Sequence, residues 1–128
     1  LTQMISRQYG FSFEEAEQKK LASDLPEDYE STLLAPFVDS LAQEIGRALQ
    51  YFFTSTPHHK VHYVMLAGGT ATLPGLKDRV TDLTGFASSV VNPFENMQLA
   101  ASVRESRVRR EAPSYLTACG LAMRRFLQ

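Results

Sequence analysis

Tryptophan is absent from this 128-residue chain and cysteine occurs once, at position 119. A single thiol excludes an internal disulfide and points to a reducing compartment, with Cys119 expected as a packed thiol among apolar neighbours. No stretch approaches the roughly 20 consecutive apolar residues that span a bilayer, and no signal-peptide pattern is visible. Charge of one sign is also missing, since 13 Lys and Arg against 14 Asp and Glu leave a formal net charge of −1. That balance gives no global attraction to nucleic acid or to a membrane surface. Two common phosphate-binding signatures are absent as well. Leu76 follows Gly75 where a P-loop needs its lysine, and no G-x-G-x-x-G occurs.

Other chemistry is excluded by what stands near the candidate residues. His58, His59 and His62 lie close together, but no neighbouring cysteine or acid completes a tetrahedral metal set. No serine or cysteine is placed beside a histidine and an acid in a way that defines a nucleophilic triad. The overall balance conceals a split, with nine acids against five Lys and Arg in residues 1–60 and five against eight in residues 61–128. The basic excess gathers at Arg104, Arg107, Arg109 and Arg110, with Arg124 and Arg125 near the end, and no aromatic residues interleave it as a single-strand-binding surface requires. A solvated face is the expected reading, and the chain reads as soluble and cytosolic.

With 44% hydrophobic residues, the length suits one compact core. The chain opens on leucine and enters a helical pattern at once, with Thr2 as expected N-cap and Gly10 as stop, which reads as a fragment of a longer protein. Ser12 and Glu15 form a capping box that predicts a helix over about 13–22. Leu34, Phe37, Leu41, Ile45, Leu49 and Phe52 make one apolar stripe on a long amphipathic helix, with Pro36 kinking it or marking its regular start. "VHYVMLA" is a strand whose near-continuous apolar character predicts cover on both faces.

A helix over "LPGLKDRVTDLTG" follows, with Leu76, Val80 and Leu83 at helical spacing, and then a short strand in "FASSVVNPF". Strand, helix and strand in this order predict a right-handed βαβ unit. "ENMQLAASVRESRVRRE" reads either as a helix or as a loop with a helical turn. "APSYLTACGLAMRRF" is a final helix with Pro113 in its first turn, and Gly120 within it is expected to mark the close approach of another backbone.

The stretch "LAGGTATLPGL" raises the functional question. A loop leaving a strand for a helix points several backbone N–H groups one way, and anions bind readily there. Gly68 and Gly69 carry no side chain to block a ligand, while Thr70 and Thr72 add hydroxyls. Taken alone, the loop is equally an ordinary strand-to-helix turn.

Its company adds to that reading. "AEQKK" on a helix, a long amphipathic helix, a strand ending in "LAGGT" and a helix opened by "LPGL" together resemble the second lobe of actin-like ATPases. Narrower still, "LTQMISRQYGFSFEEAEQKK", "FVDSLAQEIGRALQYFF", "VMLAGGTATLPGL", "NPFENM" and "APSYLTACGLAMRRF" are similar to the C-terminal part of PilM, an actin-like family of type IV pilus assembly, over nearly the whole chain.

The resemblance implies an α/β fold, part of an actin-like (ribonuclease H-like) lobe, helix-rich with a small sheet that includes one βαβ unit. Residues 1–128 are then a single fragment of the second lobe, subdomain 2. It implies ATP as ligand, with Gly68, Gly69 and Thr70 in the loop near the nucleotide and Glu17 and Lys20 of the A-E-x-x-K helix facing the adenosine. Phosphate loops and Mg2+-binding acids belong largely to segments outside this sequence, so no hydrolysis is expected of it alone.

The family's role is that of a cytoplasmic scaffold in pilus biogenesis and twitching motility. It is held at the inner membrane through partners such as PilN, whose N-terminal tail docks mainly on the other lobe. A second reading keeps the fold without a nucleotide, as a protein-interaction domain such as the cytoplasmic region of a type II secretion component.

Overall fold

Helix boundaries at the start of the chain are set by where the first backbone bonds close. In the computed structural model, which describes residues 1–58 and 60–126, Arg125 by its backbone, helix α1 runs Thr2–Tyr9 and α2 runs Phe13–Ala22. Ile5 N–H donates to the Leu1 carbonyl at 3.0 Å, so Leu1 is the N-cap and Thr2 is the first helical residue. The expectation that Thr2 caps this helix is thereby corrected. Gly10 ends α1 in the left-handed conformation, as expected. The capping box of α2 is complete: Glu15 N–H donates to Ser12 Oγ at 3.2 Å, and Ser12 N–H donates to Glu15 Oε2 at 2.8 Å.

α1 and α2 belong to one compact unit, Leu1–Leu41. Ile5, Ala16 and Leu33 form its buried centre, with Tyr9, Phe11, Leu25 and Tyr29 packed around them. Polar ties close the edges. Ser6 Oγ donates to the Phe11 carbonyl at 2.8 Å, Tyr9 Oη donates to Asp28 at 3.0 Å, and Lys19 lies over the Phe11 ring while pairing with Asp24 at 2.8 Å.

Pro36 marks the regular start of the long helix, and the turn before it shows why. Residues Glu30–Leu34 form a π-helical turn, closed by Ala35 N–H donating to the Glu30 carbonyl, and α3 then runs Ala35–Ser55. A proline ring in a regular α-helix clashes with the carbonyl four residues back and leaves it without a donor. A π turn leads into α3 directly ahead of Pro36. Leu33, Leu34, Val38 and Ala42 are buried along this stretch, while Phe37, Leu41, Ile45, Leu49 and Phe52 are half-buried.

The second unit begins at Ala42 and contains the sheet. β1 (Tyr63–Leu66) and β2 (Ala87–Val90) pair in parallel, with Tyr63 opposite Ala87 and Leu66 opposite Val90. Val91 N–H extends the ladder by donating to the Leu66 carbonyl at 2.9 Å. Between them α4 (Leu76–Thr84) crosses over and packs on β2, tied by Ser88 N–H donating to Thr81 Oγ1 at 3.1 Å. The expected βαβ unit is therefore present. α5 (Glu105–Glu111), a 3-10 turn over Ala112–Tyr115, α6 (Leu116–Met123) and a second 3-10 turn, Arg124–Phe126, complete the described chain.

One expectation about the sheet is corrected. β1 alternates, with Leu66 buried but Tyr63 and Met65 respectively 61% and 57% exposed, so the described residues cover one face and not two. A two-stranded sheet with one crossover helix has one covered face; a run of apolar residues does not report how many layers surround it. The core of this unit includes Ala42, Leu66, Ala71, Leu76, Val80, Val91, Ala112 and Pro113.

Leu76 is 2% exposed at the first position of α4, where its loss leaves a cavity beneath the crossover. We expect Leu76→Ala to lower stability by about 2–5 kcal/mol, read as a fall in the urea midpoint at unchanged slope.

Candidate functional site

The glycine loop owes its shape to a bond made far along the chain. After β1, Gly68 adopts φ 94° and ψ 169°, a conformation that β-carbon sterics close to other residues. Its N–H donates to the Pro113 carbonyl at 2.8 Å, seating the loop on the 3-10 turn before α6. Residues Gly69–Thr72 then form their own 3-10 turn, with Ala71 N–H donating to the Gly68 carbonyl at 3.1 Å. A β-carbon at Gly69 would stand 3.4 Å from Ser114 Oγ, an ordinary van der Waals contact, so packing alone does not require a glycine here.

The loop leaves specific groups unclaimed. Neither the N–H of Gly69 nor that of Thr70 finds an acceptor among the described residues, and the hydroxyls of Thr70 and Ser114 have no partner there either. Thr72 differs, because its hydroxyl donates to the Gly69 carbonyl at 3.1 Å and stabilises the turn. The two threonines are thus separable: Thr70 is available to a ligand and Thr72 is structural.

The turn beneath the loop has its own support. Tyr115 Oη donates to Glu111 Oε2 at 3.0 Å, Arg107 Nε donates to the same carboxylate at 3.2 Å, and the Tyr115 ring packs at 5.9 Å from that of Phe94. The Tyr115 hydroxyl, and after it Arg107, hold the Glu111 carboxyl below the usual carboxylate range, while Glu111 pushes the Tyr115 phenol up. Sequence reading missed this seat, since only the Glu111-Tyr115 spacing of four is visible locally.

The A-E-x-x-K pair forms a second cluster, within the first unit. Glu17 and Lys20 stand one turn apart on α2, and Lys20 Nζ reaches Glu17 Oε2 at 2.6 Å. Thr2 joins them: its hydroxyl donates to Glu17 Oε2 at 2.6 Å and accepts from Lys20 Nζ at 2.7 Å. The three atoms close a triangle that leaves Glu17 Oε1 and one N–H of Lys20 free of partners among the described residues. The Lys20 hydrogen bond first, and the Thr2 hydroxyl second, hold the Glu17 carboxyl below its ordinary range. Gly68, Gly69 and Thr70 are thus together, as are Glu17 and Lys20, and the two sets lie in different units of the chain.

The remaining candidates resolve more plainly. His58 stacks on Phe52 at 6.1 Å, His62 is exposed just ahead of β1, and His59 lies outside the described residues. No group of three metal-ligating side chains occurs among the described residues. The arginine stretch is largely self-paired on α5, with Arg109 on Glu105 at 2.6 Å and both Arg107 and Arg110 on Glu111. Such exposed pairs contribute little, and they mark a solvated face. Cys119 is a half-buried free thiol. Gly120 corrects an expectation, because a β-carbon there meets nothing within 4 Å and its helix α6 has no buried residue. No helix among the described residues is long and apolar enough to cross a membrane.

A family model described as type IV pilus assembly protein PilM matches residues 1–126. Among solved structures, a chain from a "PilM-PilN type IV pilus biogenesis complex" superposes with a TM-score of 0.74 at 27% sequence identity, over 96% of this chain and 35% of that one. The chain spans about a third of the length of that relative. The helix-rich α/β architecture with one parallel βαβ unit, expected of such a lobe, is the one observed.

Two outcomes follow from this geometry. Gly68→Ala is expected to cost about 1–3 kcal/mol through its strained backbone, with open space around the new methyl excluding a clash with neighbouring segments; chemical denaturation measures it. For Glu17, the folded pKa lies below the unfolded value of about 4.3. Its contribution to stability is therefore fully present above that value and is lost as pH falls through the lower folded pKa. Carboxyl NMR should find Glu17 titrating below the ordinary glutamate midpoint.

Proposed function

The chain belongs to the PilM family of type IV pilus assembly proteins, and on that premise we propose that it is the nucleotide-binding part of an actin-like cytoplasmic scaffold for pilus assembly. ATP is the proposed ligand. The observation that carries the nucleotide reading is the loop after β1: a bare backbone whose Gly69 and Thr70 N–H groups are unclaimed among the described residues, beside the equally unpartnered hydroxyl of Thr70. Two adjacent donors of this kind suit a phosphate or ribose oxygen. Glu17 and Lys20 are the proposed adenosine contacts, through the carboxylate oxygen and ammonium proton that their own pairing does not use.

The proposed role is binding and not catalysis by these residues. Any Mg2+ would be held by residues outside this sequence. The proposed partner is the inner-membrane protein PilN, a reading supported by the solved relative, whose chain comes from a PilM-PilN complex. Through that partner the proposed location is the cytoplasmic side of the inner membrane.

The test uses the full-length protein. Gly69→Asp places a carboxylate within the loop, and like-charge repulsion against the nucleotide phosphates should abolish ATP binding in calorimetry while the melting temperature stays near that of the parent. Unchanged ATP affinity in a folded Gly69→Asp protein removes the loop from the site and leaves the reading of a nucleotide-free interaction domain.

A further inference from the structure

We propose that Thr2 is a positioning residue that holds Glu17 and Lys20 in the arrangement that meets the nucleotide. The inference rests on the nucleotide reading above and extends it to a residue outside the A-E-x-x-K motif.

Three observations carry it. First, Thr2 is released from capping, because the Leu1 carbonyl closes the first turn of α1 with Ile5 N–H at 3.0 Å. A threonine at the first helical position has no backbone duty for its hydroxyl. Second, that hydroxyl serves both members of the motif in opposite senses, donating to Glu17 Oε2 at 2.6 Å and accepting from Lys20 Nζ at 2.7 Å. A hydroxyl can do both at once, whereas a carboxylate accepts only and an ammonium donates only. Third, the cluster is partly shielded, with the Lys20 side chain 25% and that of Glu17 40% exposed.

The physical consequence is preorganisation. A lone exposed Glu-Lys pair one turn apart samples many rotamers and gains little from pairing. A third atom fixed on the neighbouring helix pins both chain ends, so that Glu17 Oε1 and the third Lys20 N–H are aimed before any ligand arrives. Both long side chains spend their inner contacts on Thr2 and on each other, and present only their outer ones. α1 thereby contributes to the site without offering an atom to the ligand.

The experiment compares Thr2→Val, Thr2→Ser, Glu17→Gln and Lys20→Ala in the full-length protein, by ATP calorimetry and thermal unfolding. Valine keeps the shape of threonine and removes the hydroxyl; serine keeps the hydroxyl. The expected result is a roughly tenfold loss of ATP affinity in Thr2→Val, restoration to within about twofold by Thr2→Ser, and a melting temperature little changed in either.

If Glu17→Gln and Lys20→Ala weaken ATP binding while Thr2→Val does not, the positioning role is overturned and the nucleotide reading stands. If Thr2→Ser fails to restore what Thr2→Val loses, the hydroxyl is not the cause and the proposal falls. If neither Glu17→Gln nor Lys20→Ala alters ATP affinity, the assignment of the motif to the nucleotide falls, and this inference with it.

Discussion

The hydrogen bond from Gly68 N–H to the Pro113 carbonyl is the constraint on which the second unit's candidate site depends. β1 ends at Leu66, and two residues later the chain is already tied to the turn that precedes α6. Reaching that acceptor forces Gly68 into positive φ, and from there the next residues wind into a 3-10 turn with their leading N–H groups unclaimed among the described residues. Behind the acceptor stands a chain of side-chain bonds, Arg107 to Glu111 and Tyr115 to Glu111. The last acid of the charged stretch is thus bonded to Tyr115, a residue of the turn on which the loop is seated.

The first unit reaches order by a different route. Its helices are started and stopped by local backbone chemistry, the capping box at Ser12 and the left-handed Gly10, and its core is small: Ile5, Ala16 and Leu33. The functional candidates sit on the rim of that core and are ordered by side-chain hydrogen bonds instead of by burial. An ion pair on a helix surface is worth about 0–1 kcal/mol, so Glu17 and Lys20 add little to stability. What Thr2 adds is a geometric restriction on two flexible side chains, and stability measurements are a poor guide to its value.

Much of this was legible in the sequence, and the failures share a cause. Signals that act within four residues were read directly: Ser12 with Glu15, and Gly10 as a stop, while of the two readings of Pro36 the regular start of the long helix is the one observed. The exchange of Thr2 for Leu1 as N-cap shows the limit even there, because a cap is decided by which carbonyl closes the first turn, and two neighbouring residues can compete for that place. The exposure of Tyr63 and Met65, and the open space at Gly120, went against expectation for another reason. Apolar character and a helical glycine express what a position tolerates, whereas cover depends on which other segments lie against it. The seat of the glycine loop at Pro113 and Ser114 was invisible because it joins segments distant in the chain.

The two clusters also differ in what they can discriminate. A loop that offers backbone N–H groups recognises any acceptor of the right shape, and its selectivity comes from the space that missing side chains leave. The Glu17-Lys20-Thr2 triangle offers one acceptor and one donor at fixed separation, a pattern that suits a ligand with a complementary donor and acceptor. Salt separates them further. Charges exposed as these are feel screening over a Debye length of about 8 Å at physiological ionic strength, whereas the Gly68 bond is a neutral contact between backbone groups. The seat of the loop is thus less sensitive to salt than the triangle, because one is built out of neutral backbone groups and the other out of charged side chains.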